Sequence, residues 1–299
     1  MRAESSRQWR EFLSGYDRIH VYTVDPGAHA IASELVLLVR GLGRLSGWFV
    51  EGWAAAHTKE GRPVADLLGV LRSGDTLILG SQTNFARTHD LLQRAIAVGA
   101  ATIFVFDHWK NYAAHFCGGL RPDVIVVPDL IASNQLVAAM GEQGQSHMRI
   151  LPHLGIEAAA ERVISYGEVT QPNMVAVLLD PTELTDGLGY DWRRSLAAAI
   201  DMASIRPGVS VMVKPHPRQD AEIVKRELLR LEKHQCNPTL YSGETERLIA
   251  MASEVWGMTT VALNIALAVG KPIRSIQIGR NEAGTRASNP HIEPFAIVQ

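Results

Sequence analysis

The sequence predicts an α/β fold of two Rossmann-like domains, and two patterns carry that prediction. Short, continuously apolar segments alternate with longer segments of helical periodicity, which favours parallel strands covered by helices on both faces. The alternation stops in a polar stretch and starts again at Met174. We therefore predict domains over residues 1–155 and 173–299, joined by a linker over 156–172 and facing each other across a cleft.

Composition excludes several other classes of protein. The chain has 299 residues, 46% of them hydrophobic, which is enough to bury the cores of two domains. Its 29 Lys and Arg nearly balance 31 Asp and Glu, and no basic run points to nucleic acid. We find no signal sequence and no apolar run of membrane-spanning length, so we expect a cytoplasmic protein. Attachment to a membrane surface stays an open alternative that nothing in the sequence supports. Cys117 and Cys236 fit a reducing compartment.

In the first half, six apolar segments follow a helical lead-in over residues 1–16. The predicted strands are 19–24, 48–53, 76–79, 102–106, 124–127 and 148–151. Helical segments between them include 31–39 and 88–98, and another that runs to Met140. Gly27 allows a tight turn between the first strand and its helix.

In the second half, the same alternation predicts five strands. They cover residues 174–179, 209–213, 238–241, 254–256 and 273–278. Helical segments cover residues 157–164, 191–203, 220–234, 244–251 and the apolar run after Thr259. Asp191 is the expected N-cap of its helix, and the tail from Arg280 is expected to be irregular.

The segment V-S-V-M-V-K-P-H-P, at residues 209–217, ends a predicted buried strand with a lysine and a histidine between prolines. Pro215 and Pro217 hold the backbone stiff and extended, so that Lys214 and His216 project from the turn. Ligands of open α/β sheets bind beyond the carboxyl ends of the strands, where a cation and an imidazole suit a phosphate. A rigid loop with solvated side chains is the alternative.

A second motif, W-G-M-T-T-V-A-L-N-I-A-L-A-V-G-K-P-I, follows another predicted strand. Gly257 ends that strand, and the hydroxyls and free amides of Thr259 and Thr260 at the start of a helix suit a phosphate. Asn264 lies one turn further and is a candidate for a ribose or sugar hydroxyl. A plain N-cap role for either threonine is the alternative.

The order of these two motifs resembles the donor-binding domain of GT-B glycosyltransferases. K-P-H-P is similar to the His-Pro motif of bacterial sialyltransferases, Kdo transferases and the glycerophosphotransferases of wall and capsule synthesis. In those families the histidine contacts the phosphate of a cytidine nucleotide donor. The sialyltransferases also carry an acidic-acidic-Gly motif in the N-terminal domain, and the similar string here is Thr185-Asp186-Gly187 in the other half.

The resemblance implies a nucleotide-sugar-dependent glycosyltransferase of surface polysaccharide or glycoconjugate synthesis. Its partners would be a CMP- or UDP-linked sugar, bound by the second domain, and a glycan or glycoconjugate acceptor on the first. Lys214 and His216 would neutralise the donor phosphate while negative charge develops on it, helped by Thr259 and Thr260. Further expected donor contacts are Asp180, Thr182, Thr185, Asp186, Gly257 and Asn264.

No cofactor and no metal are expected. No D-x-D pair stands out, which fits a metal-independent reaction. His108 and His115 could share a helix face, but two histidines at that spacing are weak grounds for a metal site.

Three side chains of the first half are candidates for the base that deprotonates the acceptor: His29, Asp107 and His108. The last two follow an apolar strand directly, in D-H-W-K-N-Y, where a carboxylate and an imidazole suit general base catalysis. Gln82 and Asn84, in G-S-Q-T-N, are expected to face the cleft with His29. A helix N-cap for Asp107, and turn chemistry for the others, are the alternatives.

Two other functions remain open. A nucleotide-sugar hydrolase or 2-epimerase uses the same two-domain layout, and release of free sugar or of an epimer without acceptor would identify it. A non-catalytic subunit would keep the donor site and lack the base, so it would bind nucleotide without turnover. The sequence does not specify an oligomeric state.

Overall fold

The computed structural model of the protein describes residues 2–82, 84–109, 112–141, 147–231, 236, 238–281 and 289–298. The chain divides into two compact units, Met1–Gly155 and Ile156–Gln299. Among the described residues, none of the helices combines the length and the apolar character that a membrane span requires.

The first unit contains a sheet of seven strands in the order β3-β2-β1-β4-β5-β6-β7. The strands are β1 (Ile19–Thr23), β2 (Leu45–Val50), β3 (Arg62–Pro63), β4 (Thr76–Gly80), β5 (Ala101–Val105), β6 (Val124–Val127) and β7 (Met148–Ile150). The helices are α1 (Arg2–Leu13), α2 (Pro26–Gly41), α3 (Gly52–His57), α4 (Val64–Val70), α5 (Phe85–Val98), α6 (Leu130–Met140) and α7 (Leu154–Ser165), which continues into the second unit. All neighbouring strands are parallel, and the order changes direction between β1 and β4, where a ligand is expected.

The second unit contains a sheet of six strands in the order β10-β9-β8-β11-β12-β13. The strands are β8 (Met174–Leu178), β9 (Ser210–Lys214), β10 (Thr239–Leu240), β11 (Glu254–Gly257), β12 (Ile273–Ile276) and β13 (Ala296–Ile297). The helices are α8 (Trp192–Ser204), α9 (Ala221–Leu231), α10 (Thr245–Met251) and α11 (Ala262–Ala268). This sheet is also parallel throughout, and its order changes direction between β8 and β11.

Burial on both faces explains why the strand segments are continuously apolar. Along β8, Val175 and Val177 pack in a buried cluster with α8 and α9. Met174, Ala176 and Leu178 point the other way, into a cluster with α10 and α11. Full burial of each aliphatic side chain contributes about 1.5–3 kcal/mol, so neither face of this central strand tolerates polar residues.

The predicted fold class is confirmed, since both sheets are parallel and alternate with helices. The N-cap prediction is confirmed as well, because the carboxylate of Asp191 accepts a hydrogen bond of 2.8 Å from the amide of Arg194. The second predicted strand is wrong at its end, since Gly52 and Trp53 begin α3 after a strand that starts earlier, at Leu45.

The sequence analysis did not predict the two short strands β3 and β13. β3 and β13 have two residues each, too few for a hydrophobic period, and β13 forms only by pairing with β12. The irregular tail predicted from Arg280 is therefore wrong at Ala296–Ile297. The predicted linker begins inside α7, and residues 232–235 of the predicted helix 220–234 lie outside the described residues.

Lys271, in the G-K-P segment before β12, links β12 to the end of α10 and to Thr170 through its side chain. Its Nζ donates hydrogen bonds to the carbonyls of Ala250 (3.0 Å) and Ala252 (2.7 Å) at the end of α10. A third bond, of 2.9 Å, goes to the hydroxyl of Thr170. A lysine here satisfies carbonyls that the helix end leaves unpaired.

Replacing Lys271 with Met should lower the free energy of unfolding by about 1.5–3 kcal/mol, because the charged donor is lost and the carbonyls lose their partner. Lys225→Met is the matched control, since Lys225 is exposed on α9 and should leave the stability nearly unchanged. Urea denaturation monitored by circular dichroism measures both. Equal stability of the two variants would contradict this role of Lys271.

Candidate active site

In the second unit, the carboxyl ends of three neighbouring strands form one row. Leu178 of β8 pairs with Lys214 of β9 on one side and with the last residue of β11 on the other. Two residues beyond these pairs lie His216, Asp180 and Thr259, in that order across the sheet. With strands about 4.8 Å apart, the backbones at the ends of β9 and β11 are separated by about 10 Å, and the end of β8 lies between them.

The Asp180 carboxylate occupies the donors of Thr259. Its Oδ2 accepts hydrogen bonds from the Thr259 amide (2.6 Å) and hydroxyl (2.8 Å), and only 6% of Asp180 is exposed. Tyr190 is buried beside this threonine, and burial raises the pKa of Tyr190 to about 12. The amide and hydroxyl that the sequence predicts for a phosphate are therefore engaged by a carboxylate.

The K-P-H-P turn holds His216 in one tautomer. The Arg218 amide donates to His216 Nδ1 (3.1 Å), so in the neutral ring the proton is on Nε2. The backbone is fixed by Gln219, which accepts from the His216 amide (2.8 Å) and donates to the Asp180 carbonyl (3.1 Å). Burial lowers the pKa of His216, although Asp180 opposes this, and Nε2–H has no partner among the described residues.

Lys214 places a cation at the end of β9. Its Nζ donates to the carbonyl of Gly243 (2.7 Å) and lies 6.0 Å from the centre of the Tyr241 ring. Burial lowers the pKa of Lys214. An ammonium has three N–H donors, so the side chain keeps donors for a ligand.

Two residues of the second motif have structural partners instead of the predicted ligand. The predicted helix start at the threonines is wrong, because α11 begins at Ala262 with Val261 as its N-cap. Thr260 accepts a hydrogen bond from the Ala262 amide (3.3 Å), although it lies one residue before the N-cap. Asn264 is buried against Asn289, whose amide donates to it (2.6 Å), so the predicted sugar contact of Asn264 would require this pair to open.

The loop after β8 contains three more predicted donor contacts. Asp186 closes a single 3₁₀ turn by accepting from the amide of Glu183 (2.9 Å), and Thr185 is exposed in the same turn. Thr182 is buried, and its carbonyl accepts from the Trp192 amide (2.9 Å). Turn chemistry accounts for Asp186. Among the described residues, no hydrogen bond joins Thr182, Thr185 or Asp186 to the row of strand ends.

Gly257 lets β11 approach β8 closely. A Cβ at this position would lie 2.9 Å from the carbonyl oxygen of Leu178, closer than real side chains come. The structure therefore gives Gly257 a role in strand packing, and it contributes no side chain to a ligand.

In the first unit, Asp107 lies beyond β5 with its carboxylate held from two sides. The Ser81 hydroxyl donates to Oδ1, while Oδ2 lies against Gly27 in the first turn of α2, where a Cβ would be 1.9 Å away. The N-terminus of α2 favours the negative charge. His153 donates from Nε2 to the Asp107 carbonyl (3.1 Å). The next helical turn among the described residues begins at Ala113 with Tyr112 as its N-cap, so Asp107 does not cap it.

His108 and His115 do not share a helix. His108 lies in a bend and His115 in the 3₁₀ helix Ala113–Gly119, with ring centres 6.0 Å apart, while residues 110–111 of D-H-W-K-N-Y lie outside the described residues. His108 Nε2 is 3.9 Å from Asp107 Oδ1. Burial lowers the pKa of His115 to about 4, and the described part of the chain contains no cluster of three metal-ligating side chains.

His29, in the first turn of α2, has a buried ring nitrogen, Nδ1, that makes no hydrogen bond with the described residues. Its ring stacks on Trp48 (5.5 Å between centres) and meets the edge of Trp53 (5.6 Å). The Ser33 hydroxyl donates to the His29 carbonyl (2.8 Å), so it can only accept from Nε2–H (3.4 Å). Nδ1 therefore keeps its lone pair, with no described partner, and burial, then the charge of His57, lowers the pKa of His29.

The G-S-Q-T-N turn contains the last two predicted residues. Gln82 is buried and donates to the hydroxyl of Thr88, and its Oε1 has no partner among the described residues. Asn84 accepts from the Arg87 amide (3.1 Å) as the N-cap of α5, which is the turn-chemistry alternative. Thr83 lies outside the described residues.

The sequence analysis did not include three residues that hold the candidate side chains in place: Ser81, Tyr190 and Gln219. Ser81 and Gln219 lie in the same post-strand turns as predicted residues, so their position was an available signal. Tyr190 reaches Thr259 only through the tertiary fold, and no local pattern indicates that contact.

Compared by sequence, the chain matches no protein-family model and no curated protein. By structure it resembles UDP-GlcNAc 2-epimerase from Neisseria meningitidis bound to UDP-GlcNAc, with a TM-score of 0.64, 11% identity, and coverage of 86% of this chain and 82% of that one. The 2-epimerase from Methanocaldococcus jannaschii gives 0.58 at 12% identity, covering 94% and 88%. An alpha/beta-galactoside alpha-2,3-sialyltransferase from Photobacterium phosphoreum gives 0.53 at 8% identity, covering 94% and 98%.

The fold is that of the GT-B enzymes. The resemblance drawn from the two sequence motifs is thereby confirmed at the level of the fold. Identities this low carry nothing about substrate or reaction.

Gly27→Ala should disturb the Asp107 site, since the new methyl group would overlap the carboxylate. We expect a loss of stability of about 1–3 kcal/mol, as for other overpacked sites. Gly41→Ala is the control at the end of the same helix, because a Cβ there would meet nothing within 4 Å. Thermal denaturation of the two variants tests this, and an unchanged Gly27→Ala melt would show that the carboxylate does not need this space.

The tautomer of His216 is open to direct observation. Long-range ¹H–¹⁵N correlation spectra at neutral pH should show an unprotonated Nδ1 and a protonated Nε2. The titration midpoint should fall below the ordinary 6.5, because burial lowers the pKa of this imidazole. A midpoint above 6.5, or a proton on Nδ1, would contradict the hydrogen bonds described for the turn.

Proposed function

We propose that the protein is a nucleotide-sugar-processing enzyme of GT-B layout, and specifically a glycosyltransferase that uses a nucleotide-sugar donor. The observation that carries the proposal is the row of polar groups beyond β9, β8 and β11, where the parallel sheet changes direction. Lys214 and His216 end one strand there, and both keep donors for an anion. That arrangement suits the phosphate of a CMP- or UDP-linked sugar.

The proposed role of the second unit is to hold the donor and stabilise its leaving phosphate. His216 would donate from the neutral Nε2–H, and Lys214 would contribute the positive charge. Both groups are fixed by backbone contacts before the ligand arrives, so little reorganisation is needed as negative charge develops on the phosphate.

The proposed base in the first unit is His29. Its Nδ1 is buried and has no described partner, so the ring would have to turn toward the acceptor hydroxyl to take its proton. The lowered pKa keeps the ring neutral and able to accept that proton. The Asp107 carboxylate, by contrast, is held by Ser81 and by the first turn of α2, so we assign it the role of positioning that turn. A glycan or glycoconjugate hydroxyl is the proposed acceptor.

A second candidate is a nucleotide-sugar 2-epimerase or hydrolase. Its support is that UDP-GlcNAc 2-epimerases have the same fold as this chain, as does the sialyltransferase that supports the first candidate. Incubation with CMP- and UDP-linked sugars in the absence of acceptor separates the candidates. Free sugar or an epimer would support the second candidate, and product formed only with an added glycan would support the transferase.

The donor site is tested by nucleotide binding. A thermal-shift screen of CMP, CDP, UDP, GDP and ADP should identify one that stabilises the protein, by about 2.7 kcal/mol at a hundred times its dissociation constant. His216→Ala should then weaken binding of that nucleotide about two- to tenfold, because a neutral hydrogen bond contributes about 0.5–1.5 kcal/mol.

His147→Ala is the control, since His147 is exposed in the first unit. Calorimetry alongside melting temperatures separates binding from folding. An unchanged affinity in His216→Ala, with an unchanged melt, would leave K-P-H-P as a stiff turn and remove the basis of the donor site.

A further inference from the structure

Asp180 lies where the donor site should be most favourable for an anion. In the row of strand ends it is flanked by His216 and Thr259, and its carboxylate takes both the amide and the hydroxyl of Thr259. Among the described residues, Thr259 makes all the hydrogen bonds to that carboxylate. An N–H and an O–H directed at one oxygen are also what a phosphate oxygen accepts.

A phosphate cannot share this place with the carboxylate. Two negative charges a few ångströms apart in a partly buried site repel each other strongly, because the surroundings screen them less than water does. Lys214 ends the neighbouring strand and Arg218 acts on His216 from the turn that follows, but neither cation is hydrogen-bonded to the carboxylate among the described residues. Either the carboxylate moves away when phosphate binds, or phosphate does not reach Thr259.

We propose that Asp180 is the resident anion of the donor site, a residue that determines specificity by keeping the Thr259 amide and hydroxyl occupied until a ligand phosphate displaces it. The inference rests on the proposed function. It adds to that function that the hydrogen bonds between Asp180 and Thr259 weaken the binding of free phosphate. A ligand must then displace Asp180 before its phosphate can bind Thr259. A whole nucleotide sugar has further contacts with the protein that offset this cost, and a free anion does not.

Asp180→Asn tests the proposal, since the amide keeps an acceptor for Thr259 and removes the charge. Titration calorimetry with sodium pyrophosphate should give at least tenfold tighter binding to Asp180→Asn than to the natural protein. Asp201→Asn makes the same change of net charge on the exposed side of α8 and should bind as the natural protein does. Equal or weaker binding to Asp180→Asn would overturn the proposal.

The double variant Asp180→Asn, Thr259→Val locates the gain. Without the Thr259 hydroxyl, the double variant should bind pyrophosphate severalfold more weakly than Asp180→Asn does. Equal binding would mean that the anion binds elsewhere and would contradict the proposal.

If Asp180→Asn does not fold, a crystal of the natural protein soaked in pyrophosphate decides. Phosphate on the Thr259 amide with Asp180 turned away is expected, and Asp180 still on Thr259 beside a bound pyrophosphate would overturn the proposal.

The two proposals fail separately in this experiment. If CMP or UDP binds the natural protein and Asp180→Asn brings no gain for pyrophosphate, the resident-anion inference falls and the proposed function stands. If Asp180→Asn gains pyrophosphate affinity but none of the nucleotides binds any variant, the anion site stands and the nucleotide-sugar function falls.

Discussion

Parallel pairing of β8 with both β9 and β11 is the constraint on which the candidate site depends. Parallel strands end at the same edge, and burial on both faces leaves that edge as the place where polar side chains can gather. Because β8 lies between β9 and β11, Asp180 beyond β8 separates His216 of the K-P-H-P turn from Thr259 of the second motif. The chemistry of the edge is therefore set by Asp180 as much as by His216 and Thr259.

The two units satisfy their strand-end donors in a similar way. In the first, the Asp107 carboxylate takes the Ser81 hydroxyl and lies against the first turn of α2. In the second, the Asp180 carboxylate takes the amide and hydroxyl of Thr259. An unpaired buried N–H or O–H costs about 1–3 kcal/mol, so a resident carboxylate stabilises the empty site. Any anionic ligand has to compete with it.

Local pattern predicted most of this fold. The strand at Val124–Val127 was expected at its observed bounds, and so was the N-cap at Asp191, because both follow from side-chain type at neighbouring positions. The order of the strands in the sheet has no such local signal. The sequence alone therefore led us to expect His216 and Thr259 at the same phosphate, and it did not indicate that β8 and Asp180 lie between them. The tautomer of His29 also depends on a neighbour, Ser33, whose hydroxyl is directed by the helix backbone.

Hydrogen–deuterium exchange with CMP or UDP, whichever binds, tests most directly whether the row of strand ends is the ligand site. The account predicts slower amide exchange in segments 179–182, 214–219 and 257–260, which lie beyond β8, β9 and β11. Binding of the nucleotide with unchanged exchange in all three segments, and protection elsewhere in the chain, would contradict it.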